Sequence, residues 1–397
     1  MSRQTKLITV TGATGFVGRA LVRRLLEEPN VSIRCLVRPS SNRSTLASLG
    51  PNISFCIGDI TKPQTLDAAM EGAWGVINLA GYREFWARDR SHFYKVNTQG
   101  AENVFQACLK AGVKKVVQVS TPLAYGVPDT LPFTESSPAG QHPNEYGRSK
   151  HLGDAAGIKL CESQQLPLSI VYLAAVIGAG DDKQTMEVAR AVEKRLPALV
   201  GAETTYTYVY VKDAAEAIAR ALLKQRNQGE KYLIGDQRAT TREYFNLIGD
   251  IANVPIPTRN IPESWLLPIA SALEFVAKAT GRRPAIPLDV IKTTAAGSLL
   301  FDPNYAKAEL QMQYTPLKHA LEEAVEDISD PELLALTLYG TMLVSISEAA
   351  DMTGIKSRRL AELIGSVKTA IDNAPEPAET EEDDELDDLD DLEDLED

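Results

Sequence analysis

The chain has 397 residues, of which 44% are hydrophobic and 24% are charged. These proportions are typical of a folded globular protein long enough for two domains, and they exclude a chain that is disordered throughout. The formal net charge of −13 comes from one segment, because fifteen acidic residues and no Lys or Arg lie between Glu376 and Asp397. The remaining 39 acidic and 41 basic residues nearly cancel. A nucleic-acid-binding surface is therefore not expected.

Neither a secretion signal nor a transmembrane segment is predicted. Only six residues precede the apolar run that begins at Leu7, which is too few for a signal peptide. The later apolar stretches 265–279 and 333–346 are shorter than the roughly 20 residues needed to cross a bilayer. A cytoplasmic protein with reduced cysteines is the simplest expectation, since the cysteines have no metal-binding or redox spacing. These cysteines are Cys35, Cys56, Cys108 and Cys161.

The first half of the chain alternates short β-branched runs with amphipathic segments. Such alternation predicts an α/β fold with a doubly wound parallel sheet and helices on both of its faces. The predicted helices are Phe16–Glu27, Ser91–Ala111 and Glu145–Ser163. The predicted strands are Leu7–Thr11, Ser32–Val37, Ile53–Ile57, Gly75–Leu79, Lys115–Ser120 and Leu168–Tyr172.

Beyond Ile177 the alternation weakens, which indicates a second and smaller lobe. Its pattern predicts a helix near 186–194, a strand over 205–211, a helix over 214–224 and a short strand over 231–234. The last three resemble elements that return to the main sheet. We therefore expect the two parts of the fold to be interleaved.

A glycine-rich segment follows the first predicted strand and opens into the first helix. It reads Thr11-Gly12-Ala13-Thr14-Gly15-Phe16-Val17-Gly18. Glycines at such a junction let the backbone turn tightly and approach a pyrophosphate, whose charge is favoured by the N–H groups of a helix start. A structural turn would also use glycine, but the position between strand and helix favours nucleotide binding.

Further motifs follow in an order that resembles the extended short-chain dehydrogenase/reductases, the NAD-dependent epimerase/dehydratase family. The resemblance runs from about Lys6 to about Ile328. It rests on the glycine segment and on Gly58-Asp59-Ile60, Asn78-Leu79-Ala80-Gly81, Asn97, Ser120-Thr121 and Tyr146-Gly147-Arg148-Ser149-Lys150. The later segments 207–217 and 231–235 resemble the dihydroflavonol-reductase-like and hopanoid-associated epimerase-like branch, which is also similar to 3β-hydroxysteroid dehydrogenases.

The resemblance implies a division of the chain into four parts. Residues 1–176 form an NADP-binding Rossmann domain with returning elements in 205–235, and residues 177–330 form a smaller mixed substrate lobe. Residues 331–372 are helical by composition and predict an appended helical segment. Residues 373–397 predict a disordered acidic tail, because dense like charge leaves little to bury. Its regularly spaced leucines keep a protein partner for the tail as an alternative.

The resemblance also implies which residues hold a dinucleotide. Asp59 and Ile60 would contact the adenine, Leu79, Ala80 and Gly81 would line the cofactor, and Tyr146 and Lys150 would reach its nicotinamide end. The glycine segment would contribute the pyrophosphate site through Gly12, Thr14, Gly15, Phe16, Val17 and Gly18.

The end of the second strand discriminates between the two nicotinamide cofactors. NAD-specific members carry an acidic residue there that binds the ribose hydroxyls, whereas a 2′-phosphate requires cations. This chain has Arg38, Ser40 and Arg43 at this place and no acid. A guanidinium pairs with phosphate in a bidentate manner, so NADP(H) is favoured over NAD(H).

Tyr146 and Lys150 are four residues apart in a predicted helix and therefore share one face. A nearby ammonium favours a phenolate, so we expect Lys150 to lower the pKa of Tyr146 from about 10. Tyr146 can then exchange a proton with a substrate oxygen while hydride moves to or from the nicotinamide. The resemblance implies that Thr121 stabilises the reacting oxygen, with Ser120 as the alternative. It implies that Asn97 holds a helix open around a water linked to the lysine.

The predicted function is the NADP(H)-dependent interconversion of a ketone and a secondary alcohol on a small or lipid-like, steroid-like substrate. A nucleotide-sugar epimerase with bound NAD is the alternative within the family. A cofactor-binding regulatory or scaffold protein that acts through its acidic tail is the alternative from another class. Dehydration is not expected, because Pro122-Leu123 stand where 4,6-dehydratases have Asp-Glu. Nucleophile-elbow and metal-ligand motifs are missing, so neither hydrolase nor metalloenzyme chemistry has a candidate site.

Three further expectations concern the substrate side and assembly. Tyr172-Leu173 replace the Arg-Pro of the family, which weakens any transfer of substrate specificity. The apolar segment from Trp265 to Phe275 is interpreted as a lid over a hydrophobic substrate. The resemblance also implies a homodimer formed through helices 91–111 and 145–163.

Overall fold

The computed structural model describes residues 5–181, 188–192, 196–225, 228–284 and 286–329. Twelve strands lie within these residues. They are β1 (Lys6–Thr11), β2 (Val31–Val37), β3 (Ile53–Ile57), β4 (Gly75–Asn78), β5 (Lys115–Ser120), β6 (Leu168–Leu173), β7 (Ala175–Ile177), β8 (Leu199–Val200), β9 (Thr205–Tyr210), β10 (Glu230–Ile234), β11 (Gln237–Thr240) and β12 (Asn260–Ile261).

The helices with bounds in the described residues alternate with these strands. They are α1 (Phe16–Leu26), α2 (Ser44–Ala47), α3 (Asp67–Met70), α4 (Ser91–Tyr94), α5 (Ala101–Ala111), α6 (Glu145–Gln164), α7 (Val211–Leu223), α8 (Thr241–Ala252), α9 (Glu263–Thr280), α10 (Leu288–Ala295), α11 (Asn304–Glu309) and α12 (Leu317–Ser329). A π-helical turn, Lys95–Gly100, joins α4 to α5, and 3₁₀ turns occur at Pro63–Thr65 and Pro122–Tyr125.

Seven strands form one sheet in the order β3-β2-β1-β4-β5-β6-β10, and all neighbouring pairs are parallel. Every residue of β4 and of β6 is buried. Burial on both faces explains why these strands read as nearly continuous apolar runs. Because the strand order reverses between β1 and β4, helices α1 and α5 cross on opposite faces, as in a Rossmann fold.

The predicted doubly wound sheet is confirmed. All six strands predicted in the first half are present, with ends that differ by at most one residue. The helix predicted over 91–111 is interrupted by the π-helical turn. The helix predicted near 186–194 lies only partly inside the described residues, and the helical extension 331–372 and the tail 373–397 lie outside them.

The smaller lobe is interleaved with the sheet. Its three-stranded sheet has the order β11-β9-β7, with one parallel and one antiparallel pair. The chain leaves the main sheet after β6 and returns as β10, which pairs with β6. The expectation that strand 205–211 also returns to the main sheet is wrong, because β9 pairs with β7 and β11 in the smaller sheet. The lobe is fastened to the loop after β5 at Phe133, whose N–H donates to the Leu300 carbonyl at 3.0 Å and whose carbonyl accepts from the Asp302 N–H at 2.8 Å.

Candidate active site

A cavity of about 780 Å³ opens at the carboxyl ends of the central strands. Its walls come from the segments that follow β1, β2, β4, β5 and β6, from α6, and from lobe residues 296–301. This is the position at which ligands bind in doubly wound folds, beside the reversal of the strand order. The predicted site residues that line it are Phe16, Val17, Arg38, Leu79, Gly81, Thr121, Tyr146 and Lys150.

The glycine segment lets the turn after β1 lie against the end of β4. Gly12 has φ +70°, and a Cβ there would lie 2.8 Å from both the Ala80 nitrogen and the Leu79 carbonyl carbon. A Cβ on Gly18 would lie 2.3 Å from the Gly12 oxygen. Gly15 is the N-cap of α1, and no side chain caps the first turn. The N–H groups of that turn are thus available to an anion, and the segment fits a dinucleotide pyrophosphate.

Other predicted cofactor residues hold the surrounding backbone in place through hydrogen bonds and packing. The Thr14 carbonyl accepts from Arg19 Nη1 at 2.9 Å, and the Ala80 N–H donates to Thr11 Oγ1 at 3.0 Å. The Ile60 side chain is directed at Gly100 of the π-helical turn, where a Cβ would lie 2.8 Å from Ile60 Cδ1. Ile60 is therefore a packing residue in this structure and does not line the cavity.

The residues proposed to select the cofactor separate into two groups. Arg38 lines the cavity at the end of β2, whereas Arg43 lies over the Phe55 ring at 6.0 Å and Ser40 is exposed outside the cavity wall. Asp59 Oδ1 accepts from the N–H and Oγ1 of Thr61 at 2.8 and 2.9 Å.

The electrostatics of Asp59 agree with an ionised carboxylate beside Arg38. Partial burial opposes ionisation, but the two hydrogen bonds from Thr61 and the charge of Arg38 lower the pKa of Asp59 below its ordinary value. Arg38 lines this end of the cavity, whereas the Asp59 carboxylate lies near it without lining the wall. Only the guanidinium can attract a phosphate.

Tyr146 and Lys150 both face the cavity from the first turns of α6. The Asn144 side chain caps this helix by accepting from the Gly147 N–H at 2.6 Å. Lys150 Nζ donates to the Val119 carbonyl of β5 at 2.7 Å. The Tyr146 ring meets Phe85 edge-on, with 6.4 Å between ring centroids. The predicted pairing of these two residues on one helix face is present.

The expected lowering of the Tyr146 pKa is wrong for the polypeptide by itself. Desolvation raises the pKa of Tyr146 to about 12, and the cation that opposes this rise is Arg83. Burial also lowers the pKa of Lys150, while the neighbouring Asp154 raises it. Because desolvation outweighs the nearby charges, Tyr146 is a protonated phenol at neutral pH and can donate a proton.

Ser120 and Thr121 point their hydroxyls to different partners. Ser120 Oγ donates to Asp154 Oδ2 at 2.5 Å. Thr121 begins the 3₁₀ turn, and its Oγ1 accepts from the Leu123 N–H at 3.4 Å. Within the described part of the chain the Thr121 hydroxyl thus only accepts, so its hydrogen can be donated to a ligand in the cavity.

Asp154 is a buried acid next to the predicted site that sequence reasoning missed. It is 3% exposed and interacts electrostatically with Lys150. Burial raises its pKa to about 6, although Lys150 and the Ser120 hydrogen bond oppose the rise. The available signal was spacing, because Tyr146, Lys150 and Asp154 follow one another at intervals of four and so lie along one helix face.

Arg83 is a second residue that sequence reasoning missed. It lines the cavity and its Nη2 lies 3.2 Å from Oδ1 of the fully buried Asp181. The charge of Arg83 acts on Tyr146, as its effect on the tyrosine pKa shows. Its signal in the sequence was a cation two positions after Gly81.

Asn97 connects the loop after β4 to α6. Its Oδ1 accepts from the Tyr82 N–H at 2.7 Å, and its Nδ2 donates to the Tyr82 carbonyl at 3.0 Å and to Ser149 Oγ at 2.9 Å. The residue lies in the π-helical turn, which agrees with the opened helix that the resemblance implied. A Cβ on Gly153 would lie 2.3 Å from the backbone carbonyl oxygen of Asn97, so α6 approaches the π-helical turn closely.

The expectation of a lid formed by the segment from Trp265 to Phe275 is wrong. Trp265 and Phe275 are 70% and 76% exposed and do not line the cavity. The lobe instead closes the cavity with residues 296–299 and Phe301. Periodicity alone could not decide this, because α9 is apolar on two sides.

Comparison with known proteins agrees with this geometry. The model of a family described as "NAD dependent epimerase/dehydratase family" matches residues 8–235. The chain belongs to the NAD-dependent epimerase/dehydratase family. It is an NAD(P)-dependent oxidoreductase of the extended short-chain dehydrogenase/reductase type.

Individual members of the family show the same relationship. The chain is 30% identical to a putative dihydroflavonol 4-reductase of Synechocystis over 80% of its own length and 92% of that protein. It is 26% identical to a 2-alkyl-3-oxoalkanoate reductase of Shewanella oneidensis, covering 76% of this chain and 80% of that protein. The crystal structure of gox2253 superposes with a TM-score of 0.70 at 30% identity, covering 81% of this chain and 97% of that one.

Proposed function

We propose that the protein is an NADP(H)-dependent reductase that converts a ketone into a secondary alcohol, in a reversible reaction on a small or lipid-like substrate. The observation that carries this proposal is the position of the Tyr146 phenol, Lys150 and the Thr121 hydroxyl in the wall of one cavity. The phenol is protonated at neutral pH, so it has a proton to donate to a carbonyl oxygen that becomes a hydroxyl.

Each polar group of the site has a defined part in this reaction. The nicotinamide cofactor, when bound, supplies or accepts the hydride. Tyr146 gives its phenolic proton to the substrate oxygen, and the Thr121 hydroxyl donates a hydrogen bond to that oxygen as its negative charge develops. The Lys150 ammonium favours the phenolate left behind. Asp154 counters the desolvation of Lys150 and thereby helps to keep it protonated.

The preference for NADP(H) is supported by Arg38. Its side chain lines the cavity at the end of β2, where a ribose-binding acid would be expected in an NAD-specific member. The adjacent Asp59 is engaged by Thr61. The guanidinium of Arg38 is thus the group that would hold a 2′-phosphate, as a charge-assisted pair.

A lipid-like substrate is supported by the apolar walls of the cavity. Side chains from three segments contribute to them: Leu123, Val127 and Leu131 after β5, Val176 in β7, and Leu299 in the lobe. Aliphatic side chains of this kind suit an apolar substrate, and the same cavity also carries polar side chains such as Arg83, Tyr206 and Thr293 that can orient it. The apolar walls also agree with the name of the Shewanella relative, an oxoalkanoate reductase.

The test is titration of the purified full chain with NADPH and NADH, followed by a panel of ketones of increasing chain length. Tyr146→Phe is expected to lower turnover by about 10²–10⁴-fold, the usual worth of a positioned acid, with NADPH affinity little changed. Tyr206→Phe is the matched control, because Tyr206 lines the same cavity and also loses one hydroxyl. Equal activity of Tyr146→Phe and the parent, or failure to bind NADPH, contradicts the proposal. Product formation without NADPH oxidation indicates epimerisation instead.

A further inference from the structure

Helix α9 carries an uncovered apolar stripe on its outer surface. Trp265, Ile269, Phe275 and Val276 are 70%, 50%, 76% and 54% exposed. At 3.6 residues per turn, these four side chains fall within an arc of about 120°. They form half of the eight exposed large hydrophobic residues among the described residues, so the outer face of this one helix concentrates them.

The stripe is not needed to attach α9 to the protein. The opposite side of the helix holds Leu266, Ala270 and Ala277, which are buried. Leu266 and Ala270 form a small core with Ile291 of α10. The helix therefore has one apolar side in the fold and a second one outside it. A helix that is apolar on most of its circumference is typical of burial in a protein core or in a membrane.

Basic residues lie at the carboxyl end of the stripe. Lys278, Arg282 and Arg283 are exposed, and the Arg88 guanidinium packs against Gly281, where a Cβ would lie 3.0 Å from its Cζ. Glu84 approaches Arg283 at 3.6 Å, so four cations outnumber the acid that pairs with them here. We call these four residues the basic cluster.

We propose that the α9 stripe and the basic cluster form a peripheral membrane-binding surface for an anionic bilayer. Trp265 and Phe275 would enter the boundary between headgroups and acyl chains, and the basic cluster would contact anionic headgroups. An apolar stripe on one helix that ends in a basic cluster matches the layered chemistry of an anionic bilayer, with its apolar interior below negatively charged headgroups. In the part of the chain that the structure describes, no helix has the length and apolarity to cross a bilayer, so α9 lies in the membrane plane.

The basic cluster is next to a residue of the cavity wall, because Glu84 lines the cavity and approaches Arg283 at 3.6 Å. Helix α10, which packs against α9, presents Thr293 to the cavity, and Ala296 and Gly297 directly after α10 also line it. A bilayer bound at the basic cluster would bring membrane-dissolved ketones close to the cavity that holds Tyr146. This delivery rests on the proposed function, whereas the membrane attachment does not.

The test is flotation of the full chain with vesicles of phosphatidylcholine alone and with vesicles that contain an equal amount of phosphatidylglycerol. The parent is expected to float with the anionic vesicles and to be released by high salt. The double variant Trp265→Ser/Phe275→Ser and the charge variant Lys278→Glu/Arg282→Glu are each expected to lower the bound fraction about tenfold or more. Ile57→Ser and Leu152→Ser are matched controls, since both residues are exposed outside α9, and they keep parental binding.

Several results would overturn the proposal. One is that the parent does not float, or that the α9 variants float as well as the parent. If light scattering shows a parental dimer that the α9 variants lack, the stripe is assigned to a second copy of the chain. If removal of residues 330–397 creates vesicle binding that the full chain lacks, the stripe is assigned to the chain's own carboxyl-terminal residues. NADPH oxidation with a water-soluble ketone is measured in parallel and stays parental in the α9 variants, so a failed membrane assay is distinguishable from a failed reductase.

Discussion

The Ser120 hydroxyl donates a hydrogen bond to the buried Asp154 carboxylate, with 2.5 Å between Oγ and Oδ2. This contact ties the end of β5 to the second turn after Tyr146 in α6. Ser120 was the alternative to Thr121 as the hydroxyl that contacts the reacting oxygen, and this hydrogen bond directs the Ser120 hydroxyl to Asp154 instead. The carboxylate acts in turn on Lys150, whose pKa it raises against the effect of burial.

We expect Asp154→Asn to change the pH dependence of the reaction. Desolvation of Lys150 persists in this variant, but the charge that opposes it is gone, so the pKa of Lys150 falls further. The contribution of the ammonium is present below the lysine pKa and is lost as pH rises through it. The alkaline limb of kcat/KM against pH therefore moves to lower pH. Ser120→Ala keeps the carboxylate and is expected to leave that limb nearly in place, and an unmoved limb in Asp154→Asn would refute the electrostatic role.

Thr121→Val is expected to lower kcat by about 10²–10³-fold, the cost of losing one donor to a developing oxyanion. Valine keeps the β-branched shape that suits the extended backbone of this residue. Ser120→Ala is the paired variant and is expected to cost less than about tenfold, because its hydroxyl is directed at Asp154. Steady-state kinetics with one ketone decide between the two hydroxyls. The opposite order of effects would assign the reacting oxygen to Ser120.

Arg38→Asp is expected to weaken NADPH binding by about 10- to 100-fold, since a hydrogen bond to a charged group is worth about 1.5–3 kcal/mol. NADH binding is retained or improved, because the new acid can accept from ribose hydroxyls. Arg43→Asp serves as the control, as Arg43 lies over Phe55 outside the cavity wall. Fluorescence titration with both cofactors measures the ratio. An unchanged ratio in Arg38→Asp removes this residue from the phosphate site.

Gly12→Ala is expected to destabilise the fold and to abolish cofactor binding. Its positive φ costs a non-glycine residue about 1–2 kcal/mol, and the added Cβ also meets the backbone of Leu79 and Ala80 at 2.8 Å. Gly72→Ala isolates the first effect, because Gly72 has φ +68° with nothing within 4 Å of its Cβ position. Chemical denaturation should therefore show a larger decrease in the free energy of unfolding for Gly12→Ala than for Gly72→Ala. Equal losses would mean that the turn can move away from β4.

The sheet could be predicted from the sequence because its strands are short apolar runs rich in β-branched and aromatic residues. β6 is buried at every position, and its run Leu-Ser-Ile-Val-Tyr-Leu is typical of a strand inside a parallel sheet. The cavity residues were found for a related reason. Thr121 and Leu79 directly follow parallel strands, and the carboxyl ends of such strands meet at one edge.

Other features depend on packing that no local pattern contains. The raised pKa of Tyr146 results from burial, to which distant segments contribute. Ser120, one hydrogen-bond partner of Asp154, lies 34 positions away along the chain. The composition of α9 does not reveal whether its apolar side chains cover the cavity, fill the core or face outward. Only the position of α10 against one side of the helix decides among these arrangements.

The pairing of β10 with β6 has a consequence for how the protein is made. β6 ends at Leu173 and β10 begins only at Glu230, so a ribosome that adds about 5–20 residues per second needs roughly 3–11 s to deliver the missing neighbour. During that interval the nascent chain carries an apolar strand with an open edge, which is prone to pair with other chains. We expect this protein to depend on chaperones until synthesis has passed Ile234.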